Sequence, residues 1–109
     1  MNLDIKVTET DASSIVLLSG EIDAYTAPQL KETLLSLTEQ EGRLVTVDLE
    51  HVNYMDSTGL GVFVSALKST KEKSGELRLV HLQDRVKRLF KITGLENVIT
   101  IDSTVRGGN

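Results

Sequence analysis

Ile5 and Val7 alternate with Lys6 and Thr8, the period of a strand with one buried face, and the run breaks at Thr10 to Ser14, a turn composition. A second apolar run, Ile15 to Leu18, closes at Ser19-Gly20, so the two runs predict an antiparallel hairpin. Thr26, Pro28 and Gln29 make a helix start of the capping-box type. Leu30, Leu34 and Leu37 then recur at helical spacing and predict a helix from about Ala27 to Gln40, with Gly42 as its stop. Val45, Val47 and Leu49 alternate with Thr46 and Asp48, a half-buried strand, and His51 to Met55 reads as a lead out of it. Leu60, Phe63, Val64 and Leu67 predict an amphipathic helix running to about Lys73. Lys68, Lys71 and Lys73 sit at the negative end of its dipole, and Gly75 is its stop. A strand is predicted at Leu77 to Leu82. Asp84 is then read as the cap of a shorter helix in which Val86, Leu89 and Phe90 share a face, with Gly94 after it. Val98 to Ile101 reads as a last strand, and Asp102 to Asn109 as a polar tail expected to fray.

The predicted order is β-β-α-β-α-β-α-β, an α/β chain with a mixed sheet of about five strands, opened by an antiparallel hairpin and carrying helices packed on it. The 109 residues are expected to form one domain, without repeats or linkers. Hydrophobic residues at 39% and charged residues at 26% exclude a disordered, collagenous or disulfide-built chain. The absence of cysteine removes thiol nucleophiles and thiolate metal sites. Together with an N-terminus lacking an apolar run, it points to a cytoplasmic protein. Twelve Lys and Arg against 16 Asp and Glu leave a net charge of −4, and no Trp is present, which argues against nucleic-acid and membrane-surface binding.

The densest chemistry lies at Tyr54-Met55-Asp56-Ser57-Thr58-Gly59-Leu60-Gly61, a strand-to-helix turn. Two hydroxyls stand where the first helical N–H groups lack partners, and a helix start stabilises an anion by roughly 0.3–1 kcal/mol. That suits a bound phosphate or one attached to Ser57; it suits equally a plain helix cap by Ser or Asp. The Gly59-Leu60-Gly61 stretch opens like a dinucleotide fingerprint, but Val64 stands where its third glycine belongs, and no P-loop element occurs. A hydrolase with Ser57 as nucleophile needs a base, and sequence places neither His51 nor His81 beside it. Two His at wide spacing make a poor zinc set, and Glu21, Asp23, Asp48 and Glu50 read as solvated charges; no metal and no cofactor is expected, and nothing here makes an enzyme. Arg85, Lys87, Arg88 and Lys91 form a basic cluster that suits either an acidic partner or ordinary amphipathic packing.

Three blocks, Gly20-Glu21-Ile22-Asp23, Asp56-Ser57-Thr58-Gly59-Leu60-Gly61 and Arg88-Leu89-Phe90-Lys91-Ile92-Thr93-Gly94-Leu95, resemble the STAS-domain anti-sigma factor antagonists, in the family's order and across about Ile15 to Ile101. The likeness is greatest to the branch that serves the sigma-B general stress system. The resemblance implies the STAS fold and a partner switch. The unmodified protein captures an anti-sigma factor that is also a serine kinase and frees the sigma factor; phosphorylation ejects it, and a PP2C-type phosphatase restores it. The acceptor implied is Ser57, with Thr58 a neighbouring hydroxyl whose secondary modification stays open, because many relatives carry Ser there. Asp23 matches an interface position, and Asp56, Ser57, Thr58, Gly59, Leu60 and Gly61 complete the implied docking surface. Added phosphate carries about −1.5 to −2 charge at neutral pH, so repulsion beside Asp56 predicts an off-switch without a change of fold.

Overall fold

The computed structural model describes residues 2–102. Its elements are β1 (Leu3–Glu9), β2 (Ser13–Ile22), α1 (Ala27–Thr38), β3 (Leu44–Met55), α2 (Ser57–Glu72), β4 (Glu76–Val80), α3 (Asp84–Ile92), a 3-10 turn at Leu95–Asn97 and β5 (Thr100–Ile101). The five strands form one sheet in the order β1-β2-β3-β4-β5. β1 and β2 pair antiparallel, and every later pair is parallel. This is the mixed α/β arrangement that the alternation of patterns predicts.

Each parallel crossover steps one strand further in the same direction. Since such crossovers are right-handed in about 98% of cases, the helices gather on one face. Burial follows that rule. Val16 and Leu18 of β2 and Val45, Val47 and Leu49 of β3 are buried beneath Leu30, Leu34 and Phe63, whereas Ile15 and Leu17 on the opposite face are 47% and 43% exposed. Phe63 of α2 and Phe90 of α3 meet edge to face, with ring centroids 5.9 Å apart, a geometry favoured by the ring quadrupoles. Arg43, just before β3, ties down the hairpin turn: its guanidinium donates to the carbonyls of Thr10, Asp11 and Ser13.

Several elements depart from the sequence reading for identifiable reasons. β3 does not end at Leu49 but runs on through His51 to Met55. Its register against β2 slips between Leu17 and Ser19 and again between Gly20 and Glu21. Each slip adds a residue to β3, so burial falls on Leu49, Val52 and Met55, a spacing of three that hides the strand period. β2 likewise continues past Gly20 to Ile22. The capping box at Thr26 is not made: Thr26 turns its hydroxyl to Glu21 O at 2.9 Å. Asp84 is the first residue of α3 rather than its cap, which falls at Gln83. In α2 the buried stripe runs through Leu60, Val62, Phe63, Ala66 and Thr70, so Val64 and Leu67 lie at its margin. After α2 the left-handed residue is Ser74, at φ 59. Gly75 is required instead by a close backbone approach, since a Cβ there would stand 2.5 Å from Arg43 O. The tail expected to fray lies, beyond Asp102, outside the described residues. Among the described residues no helix is long and apolar enough to cross a membrane.

Candidate functional site

The carboxyl ends of β2 and β3 bring two loops side by side, joined by the Asp56 N–H donating to Ile22 O at 3.3 Å. In open sheets with parallel strands this end is where recognition sites gather. The first loop is locked from inside. Asp23, 8% exposed, accepts from the backbone N–H groups of Tyr25 and Thr26 at 2.9 and 3.1 Å. Its own N–H donates to Thr26 Oγ1 at 2.9 Å. The consequence is a stiff loop that lifts Tyr25, 87% exposed.

In the second loop Asp56 caps α2. Its Oδ1 accepts from the N–H groups of Thr58 and Gly59 at 2.9 and 3.3 Å, two donors the helix could not satisfy itself. Ser57, the first residue of α2, and Thr58 are both exposed. The capping role left ambiguous between Ser and Asp thus falls to Asp56. Asp56→Ala is expected to cost about 1 kcal/mol of stability; a thermal melt that leaves the midpoint unchanged would remove Asp56 from that role.

Of the seven residues singled out as a docking surface, the structure divides the set. Ser57, Thr58 and Gly61 are exposed, and their spacing places them on one side of the helix start. Gly59 and Leu60 point inward. A Cβ on Gly59 would meet Met55 Cγ at 2.5 Å and Ile22 Cγ2 at 2.7 Å, whereas one on Gly61 would meet nothing within 4 Å. Asp23 and Asp56 are structural holders of the two loops. The nucleotide reading of Gly59-Leu60-Gly61 meets an obstacle here, because the N–H groups of Gly59 and Leu60 are already taken up by Asp56. The hydrolase reading fares no better: the side-chain contacts of His81 and His51 run to Asp48 and Glu50, not to Ser57.

Sequence reasoning missed a groove of about 330 Å³ between the loops, lined by Glu21, Asp23, Ala24, Tyr25, Tyr54 and Asp56. It takes in both tyrosines of the chain and three carboxylates. The one signal in the sequence is that each tyrosine stands beside a turn; periodicity does not say that they face solvent rather than the core.

The sequence matches the profile described as "STAS domain" over residues 4–108. It is 51% identical to the "Anti-sigma-B factor antagonist" of Listeria monocytogenes, over 93% of this chain and 90% of that protein. With the protein of the same description from Bacillus subtilis it shares 47% identity, over 99% of this chain and 96% of that one. Its fold superposes on the crystal structure of an anti-sigma factor antagonist from Mycobacterium paratuberculosis with a TM-score of 0.83 at 24% identity, covering 98% of this chain and 91% of that one. With a match across nearly its whole length, and with the mixed sheet and helix order that go with it, the chain belongs to the STAS-domain family and, within it, to the anti-sigma-B factor antagonists.

Proposed function

We propose that this protein binds an anti-sigma-B factor in the cytoplasm through the two loops and the start of α2, and that phosphorylation of Ser57 by that same partner, acting as a serine kinase, ends the complex. The observation that carries the reading is the division of labour at residues 56–61. Asp56 does the capping, so the exposed Ser57 hydroxyl has no structural task, and Gly61 is a helix-interior glycine that internal packing does not require. A mid-helix glycine is disfavoured by about 1 kcal/mol relative to Ala. A bare backbone on an exposed face suits close approach by another protein.

In this reading the protein is a regulator that performs no catalysis of its own and takes no cofactor. Tyr25, lifted by Asp23 and Thr26, and Tyr54 supply aromatic contact area of the kind that dominates interfaces. The phosphate on Ser57 would sit at a helix start, worth roughly 0.3–1 kcal/mol in its favour, so the fold survives modification. Asp56 precedes Ser57 in the chain and, with Glu21 and Asp23, lines the adjoining groove, which already carries negative charge. A docked partner would have to cover that phosphate and strip it of water, which opposes docking, and a PP2C-type phosphatase that removes it resets the switch. Thr58 is the neighbouring exposed hydroxyl, and label remaining in Ser57→Ala but lost in the double variant with Thr58→Ala would make it a second acceptor.

The test is phosphoryl transfer from labelled ATP in the presence of the anti-sigma-B factor. Wild-type protein is expected to take up label and Ser57→Ala none, with Thr58→Ala labelled like wild type. Label entering Ser57→Ala at the wild-type rate would refute the assignment.

A further inference from the structure

We propose that Asp48, Glu50 and His81 form a binding site for a divalent transition-metal ion of the zinc class, on the face of the sheet turned away from the helices. Sequence separation concealed it, since His81 lies far along the chain from Asp48. The parallel register of β3 and β4 pairs Asp48 with Val80 and so delivers His81 beside the carboxylate. One donor atom from each of the three residues lies within 4.8 Å of the others. His81 Nδ1 and Asp48 Oδ2 are 3.1 Å apart. An ion bound at about 2.0–2.2 Å holds neighbouring tetrahedral ligands about 3.4 Å apart, so this pair needs to move by only a few tenths of an ångström.

The supporting contacts are those a metal site uses. Asp48 Oδ1 accepts from the Glu50 N–H at 2.9 Å, which fixes the carboxylate and turns Oδ2 toward His81. Gln83 Nε2 donates to Glu50 O at 2.9 Å, tying the segment after β4 back to β3. Such outer contacts orient ligands and sharpen affinity. Two carboxylates and a neutral imidazole balance a dipositive ion, and the nitrogen donor favours zinc-like ions over Mg²⁺ or Ca²⁺. The chain has two histidines, and both are here: His51 Nε2 stands 3.9 Å from Glu50 Oε1. A cavity of about 650 Å³ adjoins Asp48, Glu50 and His51 on the β1–β2 side, without His81 in its lining.

The experiment is calorimetric titration of the untagged protein, stripped with EDTA and dialysed, using Zn²⁺ alone and then Mg²⁺ or Ca²⁺. One Zn²⁺ per chain and no comparable uptake of Mg²⁺ or Ca²⁺ are expected. Asp48→Asn, Glu50→Gln and His81→Asn are each expected to weaken Zn²⁺ binding about tenfold or more. Asn is chosen for His81 because the residue sits at φ 61, a conformation Asn tolerates. Zn²⁺-dependent shifts of the His81 imidazole resonances give a second readout, and metal-free melts identify any variant that has lost its fold, in which case the remaining variants carry the test. No Zn²⁺ uptake, or uptake unchanged in the folded variants, would overturn the proposal and leave Asp48 and His81 as a carboxylate–imidazole hydrogen bond.

Discussion

Ser57→Asp is expected to weaken capture of the anti-sigma-B factor by about a hundredfold while leaving the thermal midpoint of the free protein within a few degrees of wild type. The substitution sets a carboxylate next to Asp56, on an exposed helix start beside a groove already carrying Glu21 and Asp23. Covering that added charge with a docked protein strips it of water without a matching cation, at a cost of several kcal/mol, and about 2.8 kcal/mol is two decades of affinity. The free protein pays no such penalty, because the side chain stays in water near the positive end of α2, where an acidic residue is mildly favoured. Ser57→Ala removes the hydroxyl without adding charge and is expected to bind within about threefold of wild type. Isothermal titration of both variants against the partner decides the matter; equal affinity for Ser57→Asp and wild type would show that charge at this position does not control docking.

A second large effect is expected from Gly59→Val, which should lower the melting temperature by about 10 °C and weaken partner binding along with it. Even a single Cβ would lie 2.5 Å from Met55 Cγ and 2.7 Å from Ile22 Cγ2, the residues that end β3 and β2. Overpacking of this kind costs roughly 1–3 kcal/mol, and each kcal/mol moves the midpoint of a domain this size by about 4–8 °C. Relief requires the start of α2 to lift off the sheet, which carries Ser57 out of place. Gly61→Ala is the internal control. Its Cβ meets nothing within 4 Å, so the melting temperature should rise slightly through better helix propensity, while binding falls if a partner packs on that face. Matching melting temperatures for Gly59→Val and Gly61→Ala would contradict the packing account.

How much of this could be read from the chain alone differs from one residue to the next. The leucine stripe of α1 and the alternation at Val45, Val47 and Leu49 were legible because a helix or strand with one buried face repeats its apolar positions at a fixed period. The second half of β3 was not, since two slips against β2 break that period. The helix start at Ser57 was legible from Asp56 onward, but which side chain would cap it was not, because Ser and Asp are both good caps. Tyr25 and Tyr54 gave no warning that they would flank one groove.

Local order therefore came from side-chain chemistry close by in the chain: which segments are strands and which are helices, in what order, and that residues 56–61 hold the densest chemistry. What needed the folded molecule was every relation between segments distant in sequence. Strand pairing sets Asp56 against the end of β2, packs Gly59 onto Ile22 and delivers His81 to Asp48. Hydrophobic periodicity reports which face of an element is buried and is silent about what lies against it; that is decided by the register in which the strands pair.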